Sequence, residues 1–470
     1  MSTDGRTRAG RARKRRSRAF IAAFVIVAGL LAVVGLAGAA ASVAQGPRVT
    51  AVQVDPAAAA AASGSRLIVT TSQSLAEVDA SQVTVTPATP FTVDTSGRSV
   101  GVRFTLPLFD DSEYTVSFAE VQGLGGGPAA TFTETFRTPA ADVFLLQRTS
   151  SGDTIFRTDL GGEEAVPVFS DDHIEDFRAT SSHLVISVRE GDEAQLIVTD
   201  LEGGSERALP LPGDGYVTNL QSADRGELIG YTFSDADLGE TGGLESALFT
   251  ASLKESAADA EPTPVVVDGA EPRVAEWRFV PDTDSILLLS FDGSLLLTGS
   301  SGEQPTALGS ALSIEGIARG SSEAIVERGA GPVVIDLSDA AESPLAAPDT
   351  ELGRPGAITA VPGGGTVRLA SPADESGRPT GTTVAFVADD GATDILLDVP
   401  STDAVLQTCV APSGRYAAAL VAPDAVDNPY DRYQLPMPES LESRIVEIAT
   451  GTEVVALSGF DISWCQVPPR

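Results

Sequence analysis

Two histidines, two cysteines, one acidic turn and one aromatic-rich segment are where this 470-residue chain could do chemistry. His173 lies in the run Ser170-Asp171-Asp172-His173-Ile174-Glu175-Asp176. Such a cluster can hold a divalent ion, but a lone acidic run more often serves as a solvated turn, so no metal site is assigned. His183 belongs to no recognisable motif. Hydrolysis by a Ser or Cys nucleophile needs a base beside it, and neither a G-x-S-x-G elbow nor an H-E-x-x-H pair is present. Cys409 and Cys465 lack the C-x-x-C spacing of a zinc site. No catalytic residue or cofactor follows from these patterns, so binding is expected rather than catalysis. The segment Asp427-Asn428-Pro429-Tyr430-Asp431-Arg432-Tyr433 is different. Tyr and Arg dominate binding hot spots, and Tyr430, Arg432 and Tyr433 are the candidate binding residues.

The charge distribution narrows the partners. Residues 1–18 hold eight of the 31 Lys and Arg and one of the 65 Asp and Glu, leaving 23 basic against 64 acidic residues beyond them. So acidic a surface repels phosphates and excludes nucleic acid as a partner. The expected partner is a protein, peptide or glycan.

The basic tail precedes an uncharged apolar run from Phe20 to Ala41. Its length suits a transmembrane helix with the tail kept cytoplasmic. A cleaved signal peptide is the alternative, with Ala39-Ala40-Ala41 as its small-residue site. The expectation is a single-pass membrane protein: basic tail 1–18, helix 19–41, linker 42–47 and an extracellular remainder.

From residue 48 the hydrophobic period is 2. Segments 48–54, 67–71, 82–86, 100–104, 114–118 and 131–136 alternate, and Gly, Pro and Asp turns separate them. That pattern predicts an antiparallel sandwich over 48–139. The stretch Glu113-Tyr114-Thr115-Val116, the turn Gly123-Leu124-Gly125-Gly126 and the closing Phe136-Arg137-Thr138 resemble bacterial immunoglobulin-like domains of the SbsA type. The resemblance implies a spacer or adhesive module. Arg-over-Lys and Ala/Val/Gly bias resembles actinobacterial proteins.

From 140 to 470 the unit changes. Blocks of three or four strands recur every 35–55 residues or so, a spacing typical of propellers and solenoids. Examples of the opening strand are Ala275-Glu276-Trp277-Arg278-Phe279-Val280-Pro281-Asp282 and Leu406-Gln407-Thr408-Cys409-Val410-Ala411-Pro412-Ser413-Gly414. Together with Leu196-Ile197-Val198-Thr199-Asp200-Leu201 and the following Gly203-Gly204, these resemble TolB-like and WD-type (WD40-like) β-propeller blades. The fold class expected is therefore all-β: a seven-bladed β-propeller plus an immunoglobulin-like β-sandwich and one transmembrane helix. The first block, from Asp142, has three strands, and 461–468 matches the missing opening strand. The C-terminal strand is expected to close blade one. That register sets Cys465 beside Cys409, and the pair is expected to form a disulfide, two buried thiols being the alternative.

Three links between second and third strands are long: 234–245, 372–381 and 422–442. Long loops in compact domains are often functional, and in a propeller these links share a face. The face around Tyr430, Arg432 and Tyr433 is the expected recognition surface. Two alternatives stay open: a propeller-fold hydrolase or lyase with a channel site, and a structural subunit of an envelope complex.

Overall fold

The computed structural model describes residues 20–36, 38 and 45–469, apart from 163, 192, 224–226, 240 and 241. Residues 20–36 form a helix. At 1.5 Å per residue the described part is about 25 Å long, against the ~30 Å hydrocarbon core. No helix among the described residues is long and apolar enough to cross a membrane. The expectation of a single-pass anchor with an extracellular C-terminal part is corrected accordingly. Its extension to Ala41 rested on 37 and 39–41, and those residues, like the basic tail, lie outside the described ones.

The chain beyond is all-β and forms two compact units. The first comprises residues up to Asp55, Arg66–Arg103 and Glu113–Phe136. Its strands make a four-stranded sheet in the order Val49–Gln53, Arg66–Thr71, Ser99–Phe104, Phe91–Ser96. A three-stranded sheet follows the order Val83–Thr86, Glu113–Val121, Ala130–Arg137. Alternate residues are buried, as in Leu67 and Val69 or Tyr114, Val116 and Phe118, which is the period-2 signature made physical. Phe91–Ser96 is a strand that the hydrophobic pattern missed, because its alternate positions are only half-buried.

The second unit comprises Pro56–Ser65, Phe104–Ser112 and Arg137–Arg470. Its Asp142–Ser458 stretch forms seven successive antiparallel sheets. Sheet one has three strands, Asp142–Thr149, Gly152–Asp159 and Ala165–Asp171. Sheets two to seven have four each and open with Ile174–Ala179, Gly215–Ser222, Val274–Phe279, Ser313–Ile317, Arg354–Ala360 and Ala404–Val410. Each is a meander whose strands neighbour one another in sequence order. The second strands of sheets two, three, four and seven are buried on both faces, most completely in Tyr416–Ala422, so they read as apolar runs rather than alternations. The opening strands of sheets two to seven lie side by side in sequence order. Successive meanders arranged in this way constitute a propeller fold.

Apolar cores lie between neighbouring sheets. Val185, Leu196 and Val198 of sheet two pack with Leu220, Ile229 and Tyr231 of sheet three. Val143 and Leu145 of sheet one pack with Tyr416, Ala418, Ile445 and Leu457 of sheet seven. The turns after Glu193–Asp200 in sheet two and Gly152–Asp159 in sheet one add a second contact between neighbours. A Cβ at Gly203, where φ is +80°, would lie 1.7 Å from the Val168 carbonyl oxygen of sheet one. A Cβ at Gly162 would lie 3.1 Å from Leu457 of sheet seven. Only glycine lets the backbone come so close in the left-handed conformation.

The expected closing strand over 461–468 is not a strand. Phe460 and Leu146 exchange backbone hydrogen bonds of 2.9 and 3.0 Å, and Ser463 N–H donates to Phe144 O at 3.0 Å. The ladder ends there, leaving an isolated bridge and a three-stranded sheet. Asp461 has a φ of +55°, and Cys465 N–H turns back to Ile462 O at 2.8 Å. Both break the extended geometry that a ladder needs.

Side chains, rather than a strand, link the innermost positions. Arg178 Nε donates to Leu220 O at 2.7 Å, Gln221 to Trp277 O at 2.8 Å and Arg278 to Ile314 O at 3.0 Å. Glu315 accepts from Ile358 N–H at 3.2 Å, and Thr359 donates to Thr408 O at 3.1 Å. Gln407 donates to Val467 O at 2.9 Å, and Arg178 donates to both Asp461 oxygens at 2.8 and 2.7 Å. Each bond leads from one opening strand to the next, and the last two engage the C-terminal segment from either side. Cys409 and Cys465 are disulfide-bonded, with Cα atoms 5.1 Å apart.

Candidate functional site

The link 423–441 of sheet seven is folded in its own right. Asn428 is buried and staples its ends: Nδ2 donates to Pro423 O at 3.1 Å and Ser440 O at 2.8 Å, and Oδ1 accepts from Ser440 N–H at 3.0 Å. Tyr430 and Pro438 form a bridge, and Asp431 N–H donates to Met437 O at 2.8 Å. Met437 and Leu441 sink into a core with Leu146, Ile174, Leu420 and Phe460. Ordering a loop costs backbone and side-chain entropy, and here apolar burial and paired backbone groups oppose that cost.

Arg148, at the end of the first strand of sheet one, clamps this link to sheets one and two. Its guanidinium donates to Asp431 Oδ2 at 2.8 Å and Leu435 O at 2.9 Å in the link, and to Ile174 O at 3.1 Å and Glu175 O at 2.8 Å in sheet two. It also covers the rings of Tyr433 and Phe460, at 3.9 and 5.0 Å from their centroids. The side chain is nearly buried, where an unpaired charge would be very costly. Its donors therefore fix both partners strongly.

The acidic turn is absorbed into the same scaffold. His173 Nε2 and Glu175 Oε1 lie 2.7 Å apart, and Glu175 accepts Gln434 N–H at 3.1 Å. The imidazole stacks on Tyr433 at 4.0 Å between centroids. Tyr433 donates its hydroxyl to Asp153 Oδ2 at 2.8 Å, and that oxygen also accepts Ile174 N–H at 2.7 Å. Burial pushes the Asp153 carboxyl up despite these donors. Burial, then the hydrogen bond to Asp153, pushes the Tyr433 hydroxyl up in turn. Asp176 points elsewhere: it is buried with Arg178, 3.0 Å away, and Asp461. Burial raises its pKa well above the carboxylate range, the Arg178 charge opposes this, and the Asp461 carboxylate adds to it. The run 171–176 is thus mostly structural glue, and no three-residue metal-ligand group occurs among the described residues.

A polar groove of about 1180 Å³ opens beside the clamp. The stretches 146–152 and 458–460 line it together with Tyr430, Asp431, Arg432, Tyr433 and Glu439. Tyr430 is 56% exposed, and Arg432 is exposed as well. The structure therefore brings all three candidate residues to one groove but divides their roles. Tyr430 and Arg432 face outward, whereas Tyr433 is tied into the scaffold. Sequence reasoning misses Arg148 and Asp153, and weighs Glu175 only as part of a possible ion-binding cluster. The spacing of His173 and Glu175, two apart and so on one face of an extended chain, was the available signal.

A cavity of about 140 Å³ lies among the opening strands, lined by Arg278, Glu315, Thr359, Gln407 and the disulfide. Its polar groups are engaged by neighbours: Arg278 by Trp277 O and Ile314 O, Glu315 by Ser313 and Ile358, and Thr359 by Thr408. The groove is the larger site and displays the more exposed side chains.

No protein-family model matches the chain, and no curated protein matches it. The immunoglobulin-like, actinobacterial and surface-protein resemblances gain no support from these comparisons. Among solved structures, the oligogalacturonate lyase of Vibrio parahaemolyticus is 10% identical over 65% of this chain and 91% of its own, with a TM-score of 0.45. A putative TolB from Agrobacterium tumefaciens is 14% identical over 68% and 90%, at 0.34. The Swd1 β-propeller domain from Myceliophteria thermophila is 12% identical over 62% and 88%, at 0.40. Likeness at this level carries no functional inference, and the class of this protein, an all-β chain with a propeller fold, stands on its own sheet order.

Proposed function

We propose that this protein is a binding module rather than an enzyme, and that it holds an extended polypeptide segment in the groove between 146–152 and 430–441. The seven sheets are read as one ring fastened by 459–469. The observation that carries the reading is the clamping of the 423–441 link by Arg148. A loop already held in place binds without a further ordering cost, and this one displays Tyr430 and Arg432, residue types that anchor interfaces. Asp172, Asp431 and Glu439 also line the groove, and Asp431 already pairs with Arg148. The remaining carboxylates, Asp172 and Glu439, favour a polypeptide that carries a basic residue.

Panning a displayed 12-residue peptide library against the wild-type chain provides the probe. Selected peptides are expected to lose at least tenfold in affinity for Tyr430→Ala/Arg432→Ala. Equal affinity for both proteins, or no selected peptide together with capture on a glycan array, would overturn the reading.

A further inference from the structure

We propose that the Cys409–Cys465 disulfide gates this groove, so that its reduction loosens the recognition surface; the inference rests on the reading of the groove as a binding site. The segment fastened by the disulfide also builds the groove. Gly459 and Phe460 line it, and the Phe460 ring lies beneath the Arg148 guanidinium. Phe460 is bonded through its backbone to Leu146, which also lines the groove. Four residues separate Phe460 from Cys465, and of these Asp461, Ile462 and Ser463 are held by Arg178, by the core shared with Tyr416 and by Phe144.

The segment has no continuous ladder to hold it. Its fasteners are the Leu146–Phe460 bridge, Gly459 N–H to Leu441 O, Ser443 to Gly459 O, the two Phe144–Ser463 bonds, the Arg178–Asp461 pair, Gln407 to Val467 O, the burial of Phe460, Ile462 and Trp464, and the disulfide. The disulfide is the one covalent fastener among them. Both cysteines are buried, at 6 and 5% exposure, and border the 140 Å³ cavity among the opening strands, the side from which a reductant would have to approach. A dithiol attacks one sulfur and forms a mixed disulfide. Its second thiol then closes on the first, expelling the protein thiol. The Sγ–Sγ bond breaks, two electrons and two protons end on the cysteines as two thiols, and the dithiol leaves as its own disulfide. Residues 459–467 then depend on non-covalent contacts alone. Loosening them removes the floor under Arg148, and with it the clamp on Asp431 and Leu435.

Peptide-resolved hydrogen exchange on the full chain tests this without any ligand. Reduction with dithiothreitol is expected to speed exchange at least tenfold in peptides covering 144–149 and 428–441, and to leave 366–371 of sheet six unchanged. The Cys409→Ala/Cys465→Ser protein is expected to exchange like the reduced chain and to ignore the dithiol. Acceleration confined to 404–410 and 461–467, or a double variant that exchanges like the oxidised chain, would overturn the proposal. Affinity for a library-selected peptide separates the two ideas. A peptide that needs Tyr430 but binds the oxidised and reduced chains equally refutes gating and leaves the groove standing. Failure to select any such peptide, with exchange in 428–441 still responding to reduction, refutes the groove reading alone.

Discussion

Replacing Cys409 by Ala and Cys465 by Ser should remove about 4 kcal/mol of stability. Ala suits position 409, which packs against Ala411 and Ala418. Ser suits 465, where Gln407 Oε1 lies 3.4 Å from the sulfur and can accept its hydroxyl. The closed loop spans 56 residues. The chain-entropy relation then gives about 14 cal/mol/K, or about 4 kcal/mol at 25 °C. With an unfolding entropy of about 2.1 cal/mol/K per residue over roughly 330 residues, the melting temperature should fall by about 6 °C. Urea unfolding and calorimetry read the two quantities on oxidised wild type and variant, and wild type in dithiothreitol should match the variant. A change below 1 kcal/mol would show that the C-terminal segment does not constrain the sheets, and the proposal of a fastened ring would fail with it.

Arg178→Met strands the buried Asp461 carboxylate and leaves the buried Asp176 carboxyl without its guanidinium partner, and should cost about 3–5 kcal/mol by chemical denaturation; a loss under 1 kcal/mol contradicts the fastening role. Because Asp176 is raised well above the carboxylate range by burial, the native state holds its proton more tightly than the unfolded chain. Its contribution is complete below the unfolded pKa and declines as pH rises through the folded one. Asp176→Asn should therefore flatten that decline in a series of melting temperatures from pH 4 upward, and an unchanged slope speaks against it. Tyr433→Phe leaves the buried Asp153 carboxylate one donor short and should cost about 1–3 kcal/mol, whereas Tyr430→Phe, at an exposed site, should leave stability alone. Gly203→Ala, at φ +80° and against Val168 O, should cost at least the 1–3 kcal/mol of a left-handed alanine, and a neutral outcome would mean that the turn is not packed as described.

Much of the fold was legible because it depends on local pattern. Alternation marked most strands of the first unit, and buried second strands such as Ser285–Ser290 announced themselves as apolar runs. Phe91–Ser96 escaped because Thr and Asp hold its exposed positions and nothing in it is fully buried. In sequence, 461–468 matches the pattern of an opening strand. What decided otherwise was the backbone at Asp461 and the turn at Cys465, which hydrophobic pattern does not encode. The groove was half legible. Residue type singled out Tyr430 and Arg432, and link length placed them. Tyr433 was grouped with them because its partners, Asp153 and Arg148, lie 280 or more residues away in sequence. For the same reason no local signal marked Arg148 as the clamp.

The proposed recognition role of the groove is tested most directly by photo-crosslinking a selected 12-residue peptide, with benzoylphenylalanine replacing one residue at a time, to the oxidised chain and mapping the adduct by mass spectrometry. Adducts on 146–152, 430–441 or 458–460 are predicted; adducts concentrated on Arg278, Glu315 or Gln407, around the cavity of the opening strands, would contradict the account.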